Sequence, residues 1–154
     1  MRAYVFDASA LWAFLQHKPA AAKILALLTE AMRERAEILM SAVNFGEIYG
    51  LVLREEGLDR ARAARTAVHP LPIRFIEATV QRCCQAAEIK GKYKLYYADS
   101  FAVALAIEHK ATLVTSDSDF RRLGHSFPIL WLKSLTSPRG NPPATAGFAN
   151  SFVW

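Results

Sequence analysis

With 154 residues, 53% of them hydrophobic, the chain has material for one domain with one core and lies far from the composition of disordered segments. Its net charge of +5, from 19 Lys plus Arg against 14 Asp plus Glu, favours an anionic partner without identifying one. The only cysteines are the adjacent Cys83 and Cys84, the four histidines follow no metal-ligand spacing, and no apolar run approaches the roughly 20 residues of a spanning helix. A disulfide framework, a zinc site and a membrane span are therefore excluded, and a cytoplasmic location is the default.

In chain order, Ala3 to Phe6 is a short apolar run that ends at Asp7 and reads as a buried strand, not a signal peptide. Ser9 is placed to cap a short helix from Ala10 to about Gln16. Pro19 precedes a helix from Ala20 to about Arg35, whose apolar face carries Ile24, Leu27, Leu28 and Ala31. Glu37 to Ser41 is the second strand. A third helix runs from Ala42 to Glu55 with Phe45, Ile48, Tyr49, Val52 and Leu53 inward, and Gly57 ends it. A basic helix covers Leu58 to Ala67. Pro70 and Pro72 bracket an edge strand at Leu71 to Ile73. A long helix follows from Phe75 to Lys90, and Gly91 breaks it. Asp99 opens a helix through His109, Thr112 to Thr115 is a strong strand, Asp117 to Phe120 begins a brief helix, and Ile129 to Trp131 is a fifth strand.

Short buried strands alternating with helices predict an α/β fold, a three-layer α/β/α sandwich around a mainly parallel sheet of about five strands. Residues 1–133 form the expected domain. Residues 134–154, rich in Pro, Gly, Ala and Ser but ending in Phe152, Val153 and Trp154, are expected to be an irregular tail, either docked by its aromatic end or free.

The acidic residues carry the chemistry. In an open parallel sheet, ligands bind outside the carboxyl ends of the strands. Asp7 follows the first strand, and Asp117 and Asp119 follow the fourth. Asp99 starts a helix after a loop passing the same edge. Glu47 lies six residues beyond Ser41, where about a turn and a half of helix returns it to that edge, with Asn44 one turn before it. Each has a plain alternative: Asp7, Asp99 and Asp117 as helix caps, Glu47 as an ordinary helix residue, Asp119 as structural. Together those alternatives are costly, because carboxylates about 5 Å apart repel by roughly 3 kcal/mol per pair at an effective dielectric of 20. Hard oxygen ligands without His or Cys suit Mg²⁺ or Mn²⁺. Such a site on a basic protein points to a metal-dependent nuclease, with Asp7, Glu47, Asp99 and Asp117 as catalytic and metal-binding residues. Ser9, Asn44, Thr115 and Asp119 would support them.

Lys92, Tyr93, Lys94, Tyr96 and Tyr97 mix cations with rings that suit phosphates and bases. Lys92, Lys94, Tyr96 and Tyr97 are therefore candidate RNA contacts, and the alternative is a surface loop with a tyrosine or two plugging the core. No Gly-rich turn follows the first strand, which argues against a nucleotide cofactor. Ser9 stands where haloacid-dehalogenase phosphatases carry a second aspartate.

The segments VFDASAL, SAVNFGEIYG, LYYADSFAVALA and LVTSDSDF, in that order, resemble the four motifs of the PIN-domain family, and most of all its VapC toxin branch. The resemblance spans about residues 1 to 132. It places Asp7, Glu47, Asp99 and Asp117 on the family's acidic positions, Ser9 and Thr115 on its small hydroxyl positions, and Asp119 and Phe120 at the end of the fourth motif. It implies a Mg²⁺- or Mn²⁺-dependent endoribonuclease that acts as the toxin of a toxin–antitoxin pair, forms a homodimer and is blocked by a small antitoxin. The apolar faces around Leu28 and Tyr49 are then candidate partner surfaces, or equally intramolecular core. An RNA-processing or repair nuclease of the same fold, and a non-catalytic RNA-binding module, are the alternatives.

Overall fold

The computed structural model describes residues 1–132, so the expected tail lies outside the described residues. Five strands, β1 (Arg2–Phe6), β2 (Ala36–Ser41), β3 (Arg74–Ile76), β4 (Thr112–Thr115) and β5 (Ile129–Trp131), form one sheet in the order β3-β2-β1-β4-β5. Every neighbouring pair is parallel. Among the described residues six helices flank it: α1 (Ala8–Leu15), α2 (Ala21–Met32), α3 (Ala42–Glu56), α4 (Leu58–Val68), α5 (Val80–Tyr93) and α6 (Tyr97–Glu108). A 3-10 helix, Ser118–Leu123, joins β4 to β5.

Strand periodicity divides the core. Phe6, Met40 and Val114 face one cluster with Leu11, Ile24, Ile48 and Ala61 from α1 to α4. Their neighbours Val5, Leu39 and Leu113 face the other, with Ala102, Val103, Leu105 and Phe120. Consecutive side chains on a strand point to opposite faces, so a strand covered on both sides must be apolar throughout. The three layers match the expectation. Right-handed crossovers explain the arrangement: the helices after β1 and β2 lie on one face, and those after β3, where the chain turns back across the sheet to β4, lie on the other.

Several boundaries differ from the sequence reading. The third strand begins three residues late, because Pro72 is held in a tight turn in which Ile73 N donates to Leu71 O at 2.8 Å. Phe75 and Ile76 are therefore strand residues, and Thr79 caps α5 by accepting from Arg82 N. Gly91 does not end that helix, which continues to Tyr93 and stops at Lys94 in the left-handed region, φ 55°. Helix α6 begins at Tyr97, which puts Asp99 in its first turn and not at its cap. Leu28 is 2% exposed and belongs to the core, whereas Tyr49 is partly buried against it. Among the described residues, no helix is long and apolar enough to cross a membrane.

Candidate active site

The sheet order places β1 between β2 and β4, so the chain leaves β1 towards β2 on one side and returns from β3 to β4 on the other. A crevice opens at the carboxyl end of such a pair. Asp7 stands at the end of β1 there, and Asp117 two residues beyond β4.

Asp7 is the N-cap of α1, a role the sequence reading gave to Ser9. Its Oδ1 accepts from Ala10 N at 2.9 Å and from Ser9 Oγ at 2.7 Å. Its Oδ2 accepts from Thr115 Oγ1. Both hydroxyls are held in turn by backbone amides: Ser116 N donates to Ser9 Oγ at 3.0 Å, and Asp117 N to Thr115 Oγ1 at 2.9 Å. Ser9 and Thr115 thus lock the start of α1 to the end of β4 through one carboxylate. That carboxylate is only 3% exposed. Burial outweighs its three hydrogen bonds and, with the nearby charge of Asp117, pushes its pKa up to about 6.

Glu47 approaches on α3. Asn44, fully buried one turn earlier, donates through Nδ2 to Glu47 Oε2 at 3.1 Å and to Ala98 O at 2.9 Å, which ties α3 to the start of α6. Burial raises the Glu47 pKa to about 7; the Asn44 bond lowers it, and the charges of Asp7 and Asp117 raise it further. Asp99 is pushed highest, to about 9, first by burial and then by Glu47, Asp117, Asp7 and Asp119. Five carboxylates therefore share one electrostatic neighbourhood, as the sequence reading requires of four of them.

Asp119 sits closer to the centre than its expected supporting position. Its backbone N–H donates to Asp117 Oδ1 at 2.9 Å, folding the two residues into one tight turn. One carboxylate oxygen each from Asp99, Asp117 and Asp119 lies within 4.8 Å of the others. Only the D-x-D spacing hinted at this, and it required the 3-10 geometry to take effect.

These residues fit a hard divalent cation. The donors are carboxylate oxygens alone, and at Asp99 the neighbouring carboxylates add to burial in raising the pKa, as expected of negative charge without a counter-ion. Asn44 Oδ1, buried beside them, has no hydrogen-bond partner among the described residues. Asp99, Asp117 and Asp119 could hold such a cation, and Glu47 and Asp7 act electrostatically on the same group.

Of the candidate RNA contacts, Lys94 and Tyr96 line a cleft of about 640 Å³ that also touches Asp119. The Lys92 ammonium lies over the Tyr93 ring. The Tyr97 hydroxyl donates to Cys83 O at 3.1 Å, and its ring packs edge-on against Phe101.

The protein-family model described as the PIN domain matches residues 4–126. The chain belongs to the PIN-domain family. Solved structures with the same PIN fold include VapBC2 from Rickettsia felis bound to a promoter DNA fragment, at TM-score 0.65 and 16% identity, covering 83% of this chain and 97% of that one. VapC20 from Mycobacterium tuberculosis, a toxin that cleaves the sarcin-ricin loop, gives 0.63 at 21% identity, covering 79% and 95%. DNA-bound VapBC from Salmonella typhimurium gives 0.66 at 12%, covering 86% and 100%. A search of curated proteins found no significant match. The acidic cluster of this PIN domain is thus consistent with a PIN-type nuclease.

Proposed function

We propose that the protein is a Mg²⁺- or Mn²⁺-dependent endoribonuclease and the toxin of a toxin–antitoxin pair. The observation that carries the reading is the convergence of carboxylates from β1, α3, α6 and the β4 end on one crevice, three of them within 4.8 Å. Asp99, Asp117 and Asp119 would hold the cation, with Asp7 and Glu47 beside it. When bound, the ion supplies positive charge against the phosphoryl oxygens and acidifies a water molecule. Glu47, with its raised pKa and its Asn44 splint, is poised to orient that water and take its proton. Asp7 holds the crevice to its shape through Ser9 and Thr115.

The toxin assignment draws on the likeness to VapBC structures, and with it come a small antitoxin partner, a homodimer and a cytoplasmic setting. In this reading residues 1–133 are the catalytic domain and 134–154 an appended tail. The test is incubation of the purified chain with total RNA. Cutting with Mg²⁺ or Mn²⁺, abolished by EDTA and by Asp7→Asn, supports the nuclease, and growth arrest on expression supports the toxin. Cutting that Asp7→Asn leaves intact defeats the assignment of Asp7. Cutting without growth arrest favours an RNA-processing nuclease of the same fold.

A further inference from the structure

The cleft beside the acidic cluster combines several features. Asp119 is part of both, so cleft and cluster are continuous. Lys90, Lys94 and Arg122 line it, and none of them takes part in a salt bridge among the described residues, whereas Arg33, Arg35, Arg54, Arg74 and Arg82 do. Local geometry then aims these cations. Lys90 lies in the last turn of α5, and Lys94, its left-handed C-cap, donates its backbone N–H to Lys90 O at 2.9 Å. Asp119 and Arg122 are three apart on a 3-10 helix, where side chains at that spacing eclipse, so an acid of the cluster and a cation of the cleft stack on one face.

Arg122 Nη1 also donates to Lys94 O at 2.7 Å, pinning the two cationic residues together. That carbonyl belongs to a lysine at φ 55°, in the left-handed region that non-glycine residues seldom occupy. Gly91 adds no side chain to the wall. Finally Tyr96, 42% exposed, stands at the entry to α6 three residues before Asp99.

We propose that this cleft is a subsite for single-stranded nucleic acid. Lys90, Lys94 and Arg122 take the backbone phosphates flanking the one at the acidic cluster, and Tyr96 stacks the adjacent unpaired base. The volume suits a nucleotide-sized group. An exposed ring between cations is the pairing that single strands use, because an unstacked base offers its face and the backbone its charge. An acidic peptide would satisfy the cations and leave the ring without a partner. The inference rests on the nuclease reading for its direction, since the strand is placed to run from the cleft into the acidic crevice.

The test measures binding of a labelled single-stranded RNA oligonucleotide to the full chain carrying Asp7→Asn, so that affinity is read without cutting. At about 0.1 M salt, Lys90→Gln with Lys94→Gln is expected to weaken binding at least about tenfold and to lower the log–log salt slope by about 1.4, the amount for two lost phosphate contacts. Tyr96→Ala is expected to weaken it about tenfold with the slope unchanged, and Tyr96→Phe to restore it. Arg62→Gln on α4 removes one positive charge away from the cleft and should change affinity less than about twofold.

The proposal is overturned if the parent does not bind, or if the cleft variants bind like it. It is equally overturned if Arg62→Gln costs as much as they do, or if a duplex or a polyglutamate peptide binds as well as the single strand. Cleavage by the wild-type chain is followed separately. Cleft-dependent binding without any cutting sinks the nuclease reading and leaves the subsite standing, and cutting with cleft variants unimpaired in binding does the reverse.

Discussion

At the scale of single residues, the site is built around a conflict between stability and charge. Asp7 caps α1 and receives three hydrogen bonds, yet its pKa is raised to about 6 because burial dominates. Ionising it at neutral pH therefore costs the metal-free fold free energy. Asparagine keeps the capping oxygen, which still accepts from Ala10 N and Ser9 Oγ, and the Thr115 hydroxyl can rotate to accept from its amide. Asp7→Asn is expected to abolish cleavage while leaving metal-free stability at pH 8 within about 1 kcal/mol of wild type, or above it. A loss of several kcal/mol in urea unfolding would make Asp7 chiefly a structural residue. Thr115 behaves differently. Its hydroxyl is both donor to Asp7 and acceptor from Asp117 N, and valine removes both bonds. Thr115→Val should cost about 1–3 kcal/mol, with Thr115→Ser recovering most of it. A urea midpoint unmoved by the valine would mean that the hydroxyl does not hold β4 to α1.

At the scale of elements, the strands β1, β2, β4 and β5 were legible because each is a short apolar run closed by a polar turn. Strand β3 was not. Leu71–Ile73 and Arg74–Ile76 are both short mixed runs after a proline, and only the hydrogen-bonded turn at Pro72 selects the second. The same ambiguity displaced the start of α5. Its end was misplaced because glycine is read as a stop, although it halts a helix only where a positive φ is needed. That duty falls on Lys94 instead. Gly91 is an ordinary helical residue, with nothing within 4 Å of where a Cβ would stand. Gly91→Ala is therefore expected to stabilise the protein by about 0.5–1 kcal/mol. Thermal unfolding reads this directly, and a lowered midpoint would mean that the backbone at Gly91 is not helical.

The meeting of Asp7 and Asp117 was legible for a reason that belongs to the whole molecule. A parallel sheet sends every strand's carboxyl end to one edge, so an acid just past a strand is near any other acid just past a strand. Proximity closer than that was not legible. The place of Asp119 depends on the 3-10 turn, and the cleft depends on α5 and the 3-10 helix meeting through Arg122 and Lys94.

The convergence sets how the molecule responds to pH. Asp7, Glu47 and Asp99 have folded pKa values of about 6, 7 and 9 against ordinary values of 3.8 to 4.5. A raised folded pKa means that the native state binds more protons than the unfolded chain between the two values. The stabilising contribution is therefore complete below the unfolded pKa and is lost as pH rises through the folded one. Glu108, held low by Arg82, acts with the opposite sign, but its window lies below its ordinary 4.5. Metal-free protein should thus lose thermal stability steadily from about pH 5 to about pH 9. A divalent cation binds only the ionised cluster, so the rise in Tm that Mg²⁺ or Mn²⁺ produces should grow over the same range. Asp99→Asn removes the group with the highest pKa and should flatten both trends at their alkaline end. The comparison needs only melting curves with EDTA and with excess metal at several pH values. A metal-free Tm independent of pH between those limits, or a metal-induced rise that shrinks as pH increases, would show that these carboxylates are not packed as one charge cluster.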